Sequence, residues 1–248
     1  MRKFNLLVLN EWLKIVKKRS CIISYLMVLV LALAVGYITH TFAADMFASA
    51  ADFTAVMLLP TGIGQVLAIL VIIGTAGIVP KEYSQGTIKF LLIRARSRTA
   101  ILASKYVTVL LYTLSMVLAA LVAVYLSGSM FFGVNGGTAG TSEILTSLLY
   151  CTVYCTVYAT IGFMLGILTK STGITIGATI FATTIDKMII SREFYKYVLF
   201  PNLNLAAYRD GGAPMQGMTL SFSVMVLCVY MAVFLFAGFA VFRRRDVA

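Results

Sequence analysis

The chain has 248 residues, of which 60% are hydrophobic and only 12% are charged. Soluble domains contain about 45–50% apolar and about 25% charged residues, so this composition excludes an ordinary soluble enzyme, a disordered chain and a disulfide-rich scaffold. The formal net charge is +11. In so apolar a chain we expect the basic residues to face anionic lipid headgroups rather than nucleic acid. The sequence therefore predicts an all-α, multi-pass membrane protein with a single transmembrane domain, residues 1–248.

The first segment, residues 1–19, predicts an amphipathic helix. Its polar residues recur at helical spacing and form one stripe: Lys3, Asn10, Lys14 and Lys17. We expect this helix to lie in the membrane interface, with Trp12 at the level of the headgroups. A basic flank that only orients the first span is the alternative. Glu11 fits neither face, so we expect it to pair with a basic residue of a neighbouring segment.

Six apolar stretches follow, each close to the roughly 20 residues that a helical span needs. In chain order they are about 21–40, 57–79, 104–126, 146–168, 171–190 and 220–242. The fifth is the least regular, because Asp186 and Lys187 interrupt it. If both termini lie inside, the inner side carries 16 Lys and Arg residues and the outer side 4. The positive-inside rule then predicts a cell-membrane protein with both termini in the cytoplasm.

The loop at residues 80–104 is too long for a tight turn and too polar to span. Pro80 suits the first turn of a helix, and Glu82 follows where an acid complements the helix dipole. Gly86 permits a bend, and Thr87 can cap a short helix after it. That short helix would present one apolar side, formed by Ile88, Leu91 and Leu92. An apolar side flanked by Arg and Lys suits docking onto a cytosolic partner, and a solvated basic loop is the alternative.

The same loop carries a recognisable pattern: Glu82-x-x-x-Gly86-Thr87, Leu91-Leu92, Ser97-Arg98 and Ser104-Lys105. It resembles the loop between spans two and three of ABC-2 type transporter permeases. The segment from Glu11 to Lys14 before the first span is similar as well, and the family often has proline where this chain has Ala95. Chain size and N-terminus are most similar to the bacitracin-resistance and lantibiotic-immunity permeases.

The resemblance implies a coupling helix in the loop, seated in a cleft on a separate ATPase subunit. The residues that it assigns to coupling are Glu82, Gly86, Thr87, Ile88, Leu91, Leu92 and Arg98. Residues 1–19, with Glu11, Trp12 and Lys14, would be a connecting helix beside it. Two such permeases, identical or sisters, would enclose a path above two ATPase copies, which bind ATP and Mg²⁺, so no cofactor is expected on this chain. The implied function is non-catalytic: ATP-driven export of a hydrophobic or amphipathic compound, such as a peptide antibiotic.

Three further features have two interpretations each. On the fourth span, Tyr150, Tyr154 and Tyr158 repeat every four residues and either line a substrate path or pack against neighbours. After the fifth span we expect a short interfacial helix, ended by Pro201-Asn202, and the resemblance implies an outer gate there with Phe194 and Tyr197. The small-residue motifs Gly162-x-x-x-Gly166 and Gly173-x-x-x-Gly177 allow close helix packing, within the chain or at a dimer seam.

Other functions lack their sequence features. The chain has no Gly-x-x-x-x-Gly-Lys-Ser/Thr loop, so it should not bind ATP alone. Its one histidine, His40, has no acidic partner within a span, and Cys151 and Cys155 have no further metal ligand near them in sequence, so we expect no catalytic set and no metal. A secondary carrier or channel that needs no ATPase is the alternative function, and a membrane enzyme is the third.

Overall fold

A computed structural model describes residues 2–86, 97–185, 192–209 and 211–244, with side chains from Phe4 onward. Over these residues the protein is all-helical, without β-strands, which confirms the all-α part of the predicted fold class. Five helical segments in this part of the chain are long and apolar enough to cross a membrane: Arg19–Phe42, Pro60–Ser84, Arg98–Phe131, Thr141–Thr169 and Leu220–Arg244. The protein is therefore a multi-pass membrane protein.

The N-terminal segment forms helix α1, Arg2–Val16, and the first span is helix α2, Arg19–Phe42. Between them Lys18 has an extended backbone, which turns the chain. Helix α1 contacts the third span at two successive turns: Glu11 bonds Lys105, and the Val8 carbonyl accepts a hydrogen bond from the Thr108 hydroxyl at 3.5 Å. Because the contacts run in opposite chain directions, α1 lies antiparallel and lengthwise along the start of that span.

The second span differs from the uninterrupted helix expected over 57–79. Helix α3, Ala50–Met57, ends before a break, and helix α4, Gln65–Thr75, begins after a π-turn at Pro60–Gly64. Pro60 causes the break, because it lacks an N–H group and forces the preceding Leu59 into an extended conformation. At the other end the segment continues beyond residue 79 into helix α5, Pro80–Ser84, with Pro80 in its first turn as predicted.

The third span is helix α6, Arg98–Phe131, whose 34 residues measure about 51 Å. This exceeds the roughly 30 Å of a bilayer's hydrocarbon core, so α6 extends well beyond it. The Ser97 hydroxyl caps its start by accepting from the Ala100 amide at 3.3 Å. Helix α6 packs against α1, α2, α3, α4 and the fourth span, and it forms the centre of the bundle. Its fully buried residues include Val109, Tyr112, Met116, Val117, Ala120 and Val124.

The fourth span is helix α7, Thr141–Thr169, and a left-handed Lys170 turns the chain into helix α8, Thr172–Ile185. Helix α8 has 14 described residues, about 21 Å, and is shorter than the other spans. Residues 186–190 of the predicted fifth span lie outside the described residues. The last span is helix α10, Leu220–Arg244, which agrees with the prediction of 220–242.

The segment before α10 contains a 3₁₀ turn at Glu193–Tyr197, helix α9 at Leu199–Leu203 and a second 3₁₀ turn at Leu205–Tyr208. The expected helix end at Pro201 is wrong, because Pro201 is the third residue of α9. N–H groups of a first turn have no partner within the helix, so proline is tolerated there. Asn202 ties the segment together by donating to the carbonyls of Lys196 at 2.8 Å and Val198 at 2.7 Å.

Candidate functional site

Four charged side chains meet where α1, α5 and α6 come together. The ammonium group of Lys105 lies 2.8 Å from Oε2 of Glu11 and 2.6 Å from Oε1 of Glu82. Lys14 lies 2.6 Å from the other oxygen of Glu11 and 3.3 Å from Glu82. We call these four residues the ion-pair network. Each carboxylate contacts both ammonium groups, so the network joins three helices that are up to 94 residues apart in sequence.

Burial differs sharply across the ion-pair network. The Lys105 side chain is 2% exposed, those of Glu11 and Glu82 are 12% exposed, and that of Lys14 is 52% exposed. Removing an ion from water costs several kcal/mol, so a buried lysine is found where carboxylates compensate its charge. The expectation that Glu11 pairs with a basic residue of a neighbouring segment is met by Lys105.

The electrostatics of α1 reflect this arrangement. Burial alone would raise the pKa of the Glu11 carboxyl, but the charge and hydrogen bond of Lys105, followed by those of Lys14, outweigh it and lower the pKa. Burial acts against the charged form of Lys14, yet its bonds to Glu11 and the charge of Glu82 raise its pKa. Both groups are therefore held in their charged forms near neutral pH.

Local sequence explains how the helices present these groups. Glu82 lies in the first turn of α5, where an acid is favoured by the helix dipole. Glu11 and Lys14 are three residues apart and therefore share one side of α1. Lys105 follows two turns after the start of α6, on the side that faces α1 and α5.

The other residues assigned to coupling lie around the ion-pair network or outside the described residues. Gly86 has φ +65°, the left-handed conformation that favours glycine, so the predicted bend is present. Arg98 Nη1 donates to the Arg243 carbonyl at 3.4 Å, and Trp12 packs against the core. The predicted residues that fall outside the described ranges are Thr87, Ile88, Leu91 and Leu92.

Other turns and termini also lie at the end of the bundle that holds the ion-pair network, which we call the network end. The Lys170 ammonium lies 5.0 Å from the centre of the Tyr83 ring, which places the α7–α8 turn beside α5. The Arg98 contact with Arg243 brings the end of α10 to the start of α6. The described parts of all four segments that the sequence predicts on the inner side therefore meet at this end: residues 4–19, residues 80–86 and 97–104, the Lys170 turn, and Arg243 and Arg244.

The tyrosines proposed for a substrate path lie inside the bundle. Tyr154 and Tyr158 are buried, with their ring centres 4.9 Å apart in an edge-to-face arrangement, and Tyr150 packs partly buried against the core. Within one chain this geometry favours the packing interpretation. At the proposed outer gate, Phe194 and Tyr197 are largely exposed, whereas their neighbour Tyr195 is buried.

Sequence reasoning missed a second polar cluster at the opposite end of the bundle. Arg209 Nη1 donates to the Ala55 carbonyl at 3.0 Å and to the Ser147 hydroxyl at 2.9 Å, and Nη2 lies 3.3 Å from Glu143. The Ser147 hydroxyl itself donates to the same Ala55 carbonyl at 2.6 Å. A guanidinium group thus joins α3, α7 and the turn before α10, and no spacing in the sequence marks these partners.

Asp52 organises the loop beside this cluster. Its carboxylate accepts from the Ala139 amide at 2.8 Å, the Thr138 amide at 3.2 Å and the Ser49 hydroxyl at 3.0 Å. Desolvation acts against the charge, but these hydrogen bonds, that of Ala139 first, lower the pKa of Asp52. The spacing Ser49-x-x-Asp52 is a helix-capping signal and could have identified this site from sequence.

The part of the chain that the structure describes contains no candidate metal site. There, no three His, Cys, Asp or Glu side chains form a group that could hold a metal ion. Cys151 and Cys155 are free thiols buried on α7.

Comparison with known proteins supports the membrane assignment. The chain is 34% identical over 198 residues to "Uncharacterized protein YhcI" of Bacillus subtilis, a match that covers 71% of this chain and 63% of YhcI, so it spans less than two thirds of that relative. It is 27% identical over 192 residues to "Uncharacterized membrane protein YdbK" of Bacillus subtilis, covering 73% of this chain and 78% of YdbK. A family model described as "Protein of unknown function (DUF2705)" matches residues 15–248, and the chain therefore belongs to the DUF2705 family.

Proposed function

We propose that this chain is the permease subunit of an ATP-driven, ABC-2 type transporter, and that a separate ATPase subunit docks on residues 80–104. One observation carries the proposal: the buried Lys105 bonds both Glu11 and Glu82 beside that loop. This ion-pair contact is a structural observation that supports the proposal alongside the resemblance of the loop to ABC-2 permeases.

The ion-pair network suits the transmission of movement. Pulling α1, α5 and α6 apart would leave buried charges unpaired, which costs about 3–5 kcal/mol for a broken buried pair. The three helices are therefore expected to move together when a partner displaces the loop between α5 and α6. Helix α6 continues without interruption for 34 residues, so the displacement would reach the opposite end of the bundle.

The proposed topology has six spans with both termini in the cytoplasm. Its support is the excess of Lys and Arg in the four segments that meet at the network end, since positive charge concentrates on the cytoplasmic side. Helix α8, continued by residues 186–190, would form the fifth span. Single cysteines in a cysteine-free background test this orientation: Asp45→Cys should react with an impermeant maleimide in intact cells, and Ser84→Cys only after permeabilisation. The reverse pattern would overturn it.

The remaining parts of the proposed machine lie on other chains. Two ATPase subunits would bind ATP and Mg²⁺, and a second permease, identical or a sister, would complete the path. The proposed substrate is a hydrophobic or amphipathic compound such as a peptide antibiotic, which is what the resemblance implies for its class.

The deciding experiment is purification of the tagged chain from its own host in mild detergent, followed by mass spectrometry and an ATPase assay. We expect a stoichiometric ATPase subunit. Glu82→Ala and Gly86→Pro should weaken its association or its coupling to transport, whereas Glu143→Ala at the opposite end should not. A single polypeptide in several detergents would contradict the proposal and favour a carrier or channel without an ATPase.

A further inference from the structure

An apolar groove of about 520 Å³ runs between α1 and α6. Its walls include Phe4, Val8 and Trp12 from α1 and Leu111, Leu114 and Leu118 from α6. Apart from Asn5 and Ser115, every lining side chain is apolar. The three leucines of α6 are each more than 40% exposed, so the groove is open along its length.

The groove continues along α6 beyond α1. A second depression, of about 410 Å³, shares Leu118 and is lined by Tyr25 and Leu29 of α2 and by Val122 and Leu126 of α6. From Val107 to Leu126 the two parts extend about 28 Å along the helix, close to the roughly 30 Å of a hydrocarbon core. A hydrogen bond of 2.6 Å between the hydroxyls of Tyr25 and Ser115 marks their junction and leaves no free polar group there.

Positive charge collects at the Trp12 end of this groove. Lys17, Lys18 and Arg19 follow Trp12 by five to seven residues, and the charge of Lys81 acts on Lys18. Burial and the charge of Lys81 lower the pKa of Lys18, because both disfavour its charged form, and the charge of Glu11 acts in the opposite direction. The two carboxylates of the ion-pair network are already matched by Lys14 and Lys105. The network therefore compensates the nearby cations only in part.

We propose that this groove holds the acyl chain of an anionic membrane phospholipid, whose phosphate lies among Lys17, Lys18 and Arg19. A molecule with one anionic end and a long apolar tail matches both the charge at the end and the apolar walls. A second protein chain would have to supply acidic side chains opposite these cations as well as an apolar surface. The inference is independent of the proposed ATPase, since it concerns a bilayer component and this chain.

Trp12 makes the proposal directly testable, because it is the chain's single tryptophan and lines the groove. The protein is reconstituted in phosphatidylcholine vesicles in which a small fraction of the lipid carries bromine on its acyl chains. Bromine quenches tryptophan fluorescence on contact. We expect brominated phosphatidylglycerol to quench Trp12 at a lower fraction than brominated phosphatidylcholine. Lys18→Gln should weaken this preference by roughly fivefold, the effect of about one cation near an anionic surface.

A bulkier side chain inside the groove distinguishes binding of the acyl chain from attraction of the headgroup to the cations. Leu114→Phe should reduce quenching by phosphatidylglycerol, whereas Leu149→Phe, on the exposed side of α7 and outside the groove, should not. Size-exclusion profiles confirm that each variant is folded. Equal quenching by the two lipids in the unsubstituted protein would overturn the proposal, and so would an unchanged preference in both Lys18→Gln and Leu114→Phe.

Discussion

Lys105 and Glu82 form an ion pair of 2.6 Å in which the lysine is almost completely buried, although both residues flank the most polar loop of the chain. The pair brings the end of the second span against the third, 23 residues later. With Glu11 as a second acceptor, Lys105 also holds α1 in place. Because of this position, we expect substitution of Lys105 to destabilise the protein more than substitution of any other member of the ion-pair network.

Replacing Lys105 should therefore cost far more stability than replacing Lys14. Lys105→Met leaves Glu11 and Glu82 without their buried partner, and we expect a loss of about 3–5 kcal/mol in the free energy of unfolding. The half-exposed Lys14 is screened by solvent, so Lys14→Met should cost about 0–1 kcal/mol. Denaturant unfolding in detergent micelles measures both. Equal losses would contradict the role given to Lys105.

The ion-pair network should also make stability depend on acidic pH. The pKa of Glu11 is lowered in the folded protein below its usual 4.5, so the folded state favours the ionised carboxylate. Its contribution is fully present above the unfolded pKa and is lost as the pH falls from there through the folded pKa. Melting temperatures across this acidic range should fall less steeply for Glu11→Gln than for the unsubstituted protein. The exposed Glu193→Gln serves as control and should retain the full slope.

Arg209 should hold the turn before α10 against the bundle. Arg209→Ala removes hydrogen bonds to the Ala55 carbonyl and the Ser147 hydroxyl, each worth about 1.5–3 kcal/mol when the donor is charged. We expect faster cleavage by trypsin and thermolysin between residues 192 and 219. Arg192→Ala, at an exposed arginine in the same region, should leave cleavage by thermolysin unchanged. Identical thermolysin rates in both variants would contradict this anchoring.

Two glycines with the same sequence motif should respond differently to substitution. A Cβ atom on Gly166 would lie 3.3 Å from Cδ of Pro80, whereas one on Gly177 would meet no atom within 4 Å. Gly166→Leu should therefore destabilise the protein by about 1–3 kcal/mol through overpacking, and Gly177→Leu should not. Thermal unfolding of the detergent-solubilised protein measures the difference. A larger loss for Gly177→Leu would indicate that α8, and not α7, is the packed partner.

Much of the fold follows from local patterns in the sequence. Apolar length located the long spans, because a helix must satisfy its own backbone groups in lipid. The polar stripe through Lys14 predicted α1, and the misfit of Glu11 predicted a charged partner. Pro80 and Gly86 were placed correctly, in a first helical turn and at a bend, since their backbone restrictions act locally.

What escaped prediction depends on contacts distant in sequence. Nothing near Glu11 identifies Lys105, 94 residues away, as its partner. Pro60 lies inside an apolar stretch whose composition predicts a continuous span. The break before Pro60 was therefore not predicted. The prediction that a helix ends at Pro201 is wrong because helix α9 begins only two residues earlier. The proline therefore lies in the first turn, where it is tolerated.

The break at Pro60 has a consequence for synthesis. In a continuous helix the Ala55 carbonyl would accept from the Leu59 amide, but that amide bonds Val56 instead, at 3.2 Å. The acceptor is filled by Ser147 and then by Arg209, 154 residues later. At about 5–20 residues per second, a ribosome needs roughly 8–30 s to cover that distance. The Ala55 carbonyl therefore stays open until Ser147, 92 residues later, has been made, and its second donor comes only with Arg209.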